Sequence, residues 1–396
     1  MMHLPRLSRR SALLGLSSAV VLGGASLAMA VAPTDKRFAV ILLRGAMDGL
    51  SAVVPYGDPD LVRWRPELLP PGPGQPGGLL DLGGFYGLHP VLTGMHAMYR
   101  DGELLPVHAV AGHYRSRSHF EAQDYLESGA DQRMNSGWLN RALSLMPRPL
   151  APGQDAALAV GVTVPLLLRG PVGVATWAPA TFDPLDTDLY LRIAKLNQAD
   201  PVTGPALMDA MRQRGFSEKV LTGKPPPDQD AFASLCGAAA RLMLAPDGPR
   251  IAALELEGWD THSGQPPRLA AALAELDAGV VALKAGLGEA WQQTVVLVVT
   301  EFGRTVRADG TLGTDHGTGS AAFVAGGQVA GGRVQANWPG LARRNLFEDR
   351  DLQPTTDLRE LGLGLLGSHL GLSPAALQQI FPGSDGVVPM TRLLRA

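Results

Sequence analysis

"RFAVILLRGAMDG", residues 37–49, decides the fold. An unbroken apolar run lies between Arg37 and Arg44. A strand with one wet face alternates apolar and polar residues, so a continuous run predicts a central strand buried on both faces. Outward from it the same plan repeats. "HPVLTGMHAMYRDG" (89–102) has helical spacing with a proline near its start and a glycine at its end. "LLPVHAVAG" (104–112) reads as a strand and "SHFEAQDYLESG" (118–129) as a helix. "RIAALEL" (250–256) and "TVVLVVT" (294–300) are further strands, with a long amphipathic helix over 266–290 between them. "SAAFVAGG" (320–327) adds a strand and "TTDLRELGLGLLGSHLG" (355–371) a late helix. Strands alternating with helices predict an α/β protein with a mostly parallel central sheet and helices on both faces. Residues 150–235 mix apolar, proline and helical signals, and read as a helical insertion or cap. The Pro- and Gly-rich stretches 66–78 and 222–230 read as loops within one plan, so residues 31–396 are expected to form a single domain.

The N-terminus carries a different message. In "LSRRSALLGLSSAVVLGGASLAMA" Arg9 and Arg10 precede an apolar stretch rich in Gly, Ser and Ala, and Ala28 and Ala30 follow. That is the pattern of a twin-arginine signal peptide over residues 1–30, with Val31 as the expected mature start. The apolar stretch is about 19 residues and diluted by small polar ones, which makes a poor permanent membrane span. The expected destination is the periplasm or the exterior, reached through the twin-arginine export machinery.

The mature chain, about 366 residues, has room for one large domain. Its 34 basic and 37 acidic residues give no polyelectrolyte signature, so nucleic acid is not an expected partner. The single cysteine, Cys236, excludes an internal disulfide framework. It lies in the apolar helical pattern "AFASLCGAAARLML" and reads as a buried structural thiol.

In an open parallel sheet, ligands bind beyond the carboxyl ends of the strands. Four predicted strands end in chemistry. The first leads to Asp48, and the second to His113, Arg115, Ser116, Arg117, Ser118 and His119. The third leads to "EGWDTH", with Asp260 and His262, and the fourth to "EFGRT", with Glu301 and Arg304. The following loop "GTDHGTG" holds Asp315 and His316. Singly, each has an ordinary structural reading: Asp48 precedes a turn glycine, and Ser118 could cap a helix with Glu121. Together, carboxylates and imidazoles at one sheet edge suit a divalent cation such as Zn, Mn, Mg or Ca. Such an ion would polarise an ester oxygen and acidify a water or serine hydroxyl. Arg115, Arg117 and Arg304 would offer positive charge to an anionic group.

The blocks "LLRGAMDGLSAVVPYGD", "HAVAGHYRSRSHFEAQDYLESG", "GWLNRAL", "GWDTHSGQ", "TEFGRT", "GTDHGTGSAAFVAGG" and "DLQPTTDLRELG" resemble the twin-arginine-exported DUF1501 family. The resemblance implies a three-layer sandwich like that of alkaline phosphatases and sulfatases, with a metal centre at the strand ends. The family itself has no established reaction. Asp48 falls where the superfamily's first-strand ligand would be, and the "HG" loop places His316 as a ligand. "GWDTH" is similar to the Asp-and-His ligand pair, but with spacing D-x-H where D-x-x-x-H is usual. "TEFGRT" stands where "SDHG" is common, so Glu301 can replace the aspartate while Phe302 cannot replace the imidazole. Counting back about ten residues from Gly129, where the superfamily usually carries its nucleophile, reaches His119, with Ser118 one step earlier. A helix N-terminus there favours an anion, which makes Ser118 the better chemical choice. These departures imply a reduced site, with one metal or none rather than two.

Two functions follow as expectations. The first is an exported metal-dependent hydrolase of phosphate or sulfate esters. Asp48, Asp260, His262, Glu301, Asp315 and His316 would supply metal ligands, Ser118 or His119 would attack, and Arg115 and Arg304 would hold the anion. The second is a non-catalytic periplasmic protein binding a glycan, an anion or a partner protein, favoured by Phe302 and the unclear nucleophile. A serine esterase is disfavoured by the absence of a G-x-S-x-G elbow.

Overall fold

In the computed structural model, residues 35–146, 156–179 and 232–395 are described, with 211, 213, 217, 220 and 221. The expected export signal lies outside them. The strands are β1 (Arg37–Leu43), β2 (Val53–Val54), β3 (Leu80–Asp81), β4 (Gly87–Leu88), β5 (Leu104–Ala111), β6 (Ala157–Val160), β7 (Val174–Trp177), β8 (Ile251–Leu256), β9 (Thr294–Thr300), β10 (Ser320–Ala325) and β11 (Thr356–Asp357). The longer helices are α1 (Thr93–Arg100), α2 (His119–Ser128), α3 (Trp138–Leu145), α4 (Phe232–Leu244), α5 (Gln265–Leu287), α6 (Leu358–Ser368) and α7 (Pro374–Ile380).

Eight strands form one sheet in the order β11-β5-β10-β9-β1-β8-β6-β7, and β2, β4 and β3 make a small ribbon beside it. β1 runs parallel to β8 and β9, as its unbroken apolar run requires, and all seven of its residues are buried. β10 is antiparallel to both β9 and β5, so the sheet is mostly parallel with one reversed strand. Successive β1 side chains point to opposite faces. Ala39, Ile41 and Leu43 join a core with Leu273, Leu276 and Val280 of α5 and Met243 of α4. Phe38, Val40 and Leu42 join a second core with Leu139 of α3, Leu361 and Leu365 of α6 and Ile380 of α7. The result is a three-layer α/β sandwich.

Within the stretch expected to be a cap, β6 and β7 instead extend the sheet edge in parallel. The remainder of 150–235 falls largely outside the described residues. Cys236 is fully buried in α4, as a structural thiol should be. Among the described residues no helix is long and apolar enough to cross a membrane.

Candidate metal centre

The parallel strands deliver their carboxyl ends to one edge, and close backbone contacts there set the site. Gly45 follows β1 with φ +118°, and a Cβ on it would stand 2.6 Å from the Asp260 backbone nitrogen. Only glycine lets the turn after β1 lie against the turn after β8. Gly313 does the same for the 309–316 loop, where a Cβ would meet the His262 carbonyl at 2.2 Å. An isolated antiparallel bridge between Arg304 and His316 then ties that loop to the end of β9.

Three imidazoles and a carboxylate converge at this edge. His316 Nε2 is 3.0 Å from His119 Nε2 and 2.9 Å from His262 Nε2. Asp260 Oδ1 is 3.0 Å from His262 Nε2, 3.3 Å from His316 Nε2 and 3.6 Å from His119 Nε2. The ligand atoms of His119, Asp260 and His316 all lie within 4.8 Å of one another. Each Nδ1 faces outward to an oxygen: His119 to Glu301 Oε1 at 2.8 Å, His316 to the Arg117 carbonyl at 3.1 Å, and His262 to Asp315 Oδ1 at 3.7 Å. In His119 and His316 a proton on Nδ1 satisfies that oxygen and leaves the Nε2 lone pair facing inward. Lone pairs meeting at about 3 Å repel unless a cation or a proton lies between them, and three nitrogens with one carboxylate oxygen suit a borderline ion such as zinc. The residues present therefore fit a divalent metal.

Electrostatics follow from these contacts. The hydrogen bond to Glu301 raises the pKa of His119 above the ordinary imidazole value, against the opposing effect of burial. Burial, then the charges of His119 and Arg304, lowers that of His316. Burial would raise Asp260 and Glu301. In Asp260 the Arg304 guanidinium overrides it, and in Glu301 the bonds from His119, the backbone and Gln123 do, so both carboxyls sit below their usual range.

Several expected site residues stand elsewhere. Asp48 is 1 % exposed and spoken for, which leaves it unsuited as a ligand. Its Oδ2 accepts from Arg65 NH1 at 2.7 Å, Gln265 Nε2 at 2.6 Å and Ser51 Oγ at 2.7 Å. Glu301 turns to the back of His119 rather than to the Nε2 cluster. Asp315 lies outside His262 and pairs with Arg350 at 3.5 Å. Arg304 donates to Asp260 at 2.8 Å and to the Thr314 carbonyl at 2.8 Å, so it fixes a carboxylate instead of awaiting an anion. Arg115 is bonded to the Gly112 and Tyr114 carbonyls, and Arg117 to Asp351 and Glu348. Ser118 occupies the N-cap position of α2, but its hydroxyl makes no cap hydrogen bond. His113 packs edge-on against Tyr125, apart from the cluster. Phe302 forms a wall, its ring 4.8 Å from that of His119 and 5.2 Å from that of His316.

Other residues of the site escaped sequence reasoning. Gln265 Oε1 accepts from Thr314 Oγ1 at 2.6 Å, and Thr314 Oγ1 accepts from Arg304 Nε at 3.1 Å. A buried chain of hydrogen bonds thus runs from Asp48 through Gln265, Thr314 and Arg304 to Asp260. Gln123 reaches Glu301 at 3.1 Å. Its i, i+4 spacing from His119 on a helix was the one signal that could have found it.

The model of a family described as "Protein of unknown function (DUF1501)" matches residues 104–381. No curated protein matches the chain. Solved structures similar to it include the C-terminal periplasmic domain of EcEptC from Escherichia coli in complex with Zn, at 9 % identity over 74 % of this chain and 73 % of that one, with TM-score 0.33. An alkaline phosphatase from the Antarctic bacterium TAB5 is similar at 10 % identity over 77 % and 95 %, with TM-score 0.37. BT1596, a 2-O GAG sulfatase, is similar at 14 % over 85 % and 71 %, with TM-score 0.32.

Proposed function

The chain belongs to the DUF1501 family, whose function is unknown, and we propose that it is an exported metal-dependent hydrolase of phosphate or sulfate esters. The observation that carries this reading is the convergence of the His119, His262 and His316 Nε2 atoms with Asp260 Oδ1. His119, Asp260 and His316 would hold one divalent ion, with His262 at its open side. The ion would supply a Lewis acid that polarises the ester and acidifies a hydroxyl or water. Arg304 holds the Asp260 carboxylate in place. Ser118 stands one residue before His119, at the positive end of α2, where the first backbone N–H groups favour developing negative charge. Its hydroxyl is the candidate nucleophile. Export by the twin-arginine route to the periplasm or beyond rests on Arg9, Arg10 and the apolar segment after them.

A second reading, a binding protein for a glycan, an anion or a partner protein, is favoured by a specific observation. Arg115, Arg117 and Arg304 are each bonded within the chain rather than presented to an anion. One experiment separates the two. Protein purified after export is expected to carry about one divalent ion per chain, to hydrolyse an aryl phosphate or aryl sulfate, and to lose both ion and turnover in His316→Ala. Metal without turnover of either ester supports the binding protein. Protein with neither metal nor turnover refutes the metal centre.

A further inference from the structure

Resting on the metal centre proposed above, we infer that Glu301 governs the ion through His119 and not as a ligand: it is a positioning residue, secured from α2 by Gln123. The geometry leaves the carboxylate no other task. Its Oε1 accepts from His119 Nδ1 at 2.8 Å, Gly45 N at 2.9 Å and Gln123 Nε2 at 3.1 Å. Its Oε2 accepts from Thr300 Oγ1 at 2.9 Å. The side chain is fully buried behind the histidine, whereas His119 keeps 22 % of its own exposed at the cluster. His119 and Gln123 stand one helical turn apart on α2, so both reach the same carboxylate from one helix face.

A carboxylate on Nδ1 has two effects. It keeps the proton there, which leaves Nε2 as the lone-pair atom, and its negative charge makes Nε2 a stronger donor. Gln123 and Gly45 act earlier in the chain of cause. They fix the Oε1 position, and the Phe302 ring against the imidazole fixes its plane. The strand end after β9 thus sets a proposed ligand that the chain supplies from the first turn of α2.

Glu301→Gln separates charge from shape. Its amide oxygen can take the three N–H donors now on Oε1, and its NH2 then faces Thr300. The Thr300 hydroxyl is free to donate to the Leu43 carbonyl, 3.0 Å away. Zinc affinity, read by competition with a chromophoric chelator, is expected to fall about tenfold in Glu301→Gln and about 100-fold in Glu301→Ala. Gln123→Ala is expected to fall by less than Glu301→Gln. The cobalt-substituted Glu301→Gln protein should keep the wild-type visible bands, while His119→Ala, which removes a ligand, should change them. Unchanged zinc affinity in Glu301→Gln, or cobalt bands that shift as in His119→Ala, overturns the positioning role while leaving the metal centre standing. A wild-type protein that binds neither zinc nor cobalt overturns both.

Discussion

Arg65→Met should cost several kcal/mol of stability, roughly 3–5, without displacing a metal ion. Arg65 and Asp48 are 0 % and 1 % exposed at their side chains, and NH1 meets Oδ2 at 2.7 Å. Arg65 also donates to the carbonyls of Val306 at 2.9 Å and Thr305 at 2.6 Å. Removing the guanidinium leaves an ionised carboxylate in the interior with only Gln265 and Ser51 as donors. Breaking one side of such a pair costs roughly 3–5 kcal/mol. Asp48→Asn is expected to cost a similar amount, because it strands the guanidinium and sets an amide NH2 against it. The double variant Asp48→Asn/Arg65→Met loses both charges together, so its cost should fall below the sum of the singles by about 2 kcal/mol or more. Denaturant midpoints measured with chelator present, so that bound ions add nothing, give the three values. Zinc content of Asp48→Asn should match the wild type. An Asp48→Asn protein that is as stable as the wild type but has lost its ion would refute the reasoning, and would return Asp48 to the metal centre.

Two further expectations concern groups the site does not use. His108 and His369 are fully buried, and burial lowers the pKa of each to about 4. The folded value lies below the unfolded one of about 6.5, so the unfolded chain binds the extra protons between them. Stability from these residues is present above about pH 6.5 and is lost as pH falls toward 4, by up to about 3 kcal/mol each. Midpoints measured across that range should show the loss, and His108→Gln should reduce its slope; a flat profile would sink the claim. Cys236 is buried and its thiol pKa is raised by burial. It should react with an aromatic disulfide reagent only after unfolding, and fast labelling of the native protein would contradict its placement.

The fold was legible where apolar runs were long. β1 and β9 lie within the stretches their unbroken apolar residues marked, and α2 lies between Ser118 and Gly129 as its punctuation suggested. The reversed direction of β10 was not legible, because an apolar run reads alike in either sense. β6 was lost for another reason. Four apolar residues can belong to a buried strand or to a helix, and only pairing with β8 decides. At the site, spacing suggested Asp260 and His262 together, but it could not assign roles. His119 meets its Glu301 partner across 182 residues of sequence and His316 across 197. Nothing local to residue 119 distinguishes a nucleophile from a ligand.

Burial is what sorted the carboxylates that sequence had treated alike. An ionised group in the interior needs donors at all times, so it cannot wait for a metal ion. Asp48 and Glu301 obey this: each is almost wholly buried, and each is surrounded by donors the chain itself provides. The groups of the proposed site lie at the water's edge. The Asp260 side chain is 46 % exposed, His262 44 %, His316 26 % and His119 22 %. A deep strand-end acid therefore serves as scaffold, and the carboxylate proposed as a ligand, Asp260, is the shallow one. Asp260 and His262 lie four and six residues beyond the end of β8 at Leu256, out of the sheet and within reach of solvent.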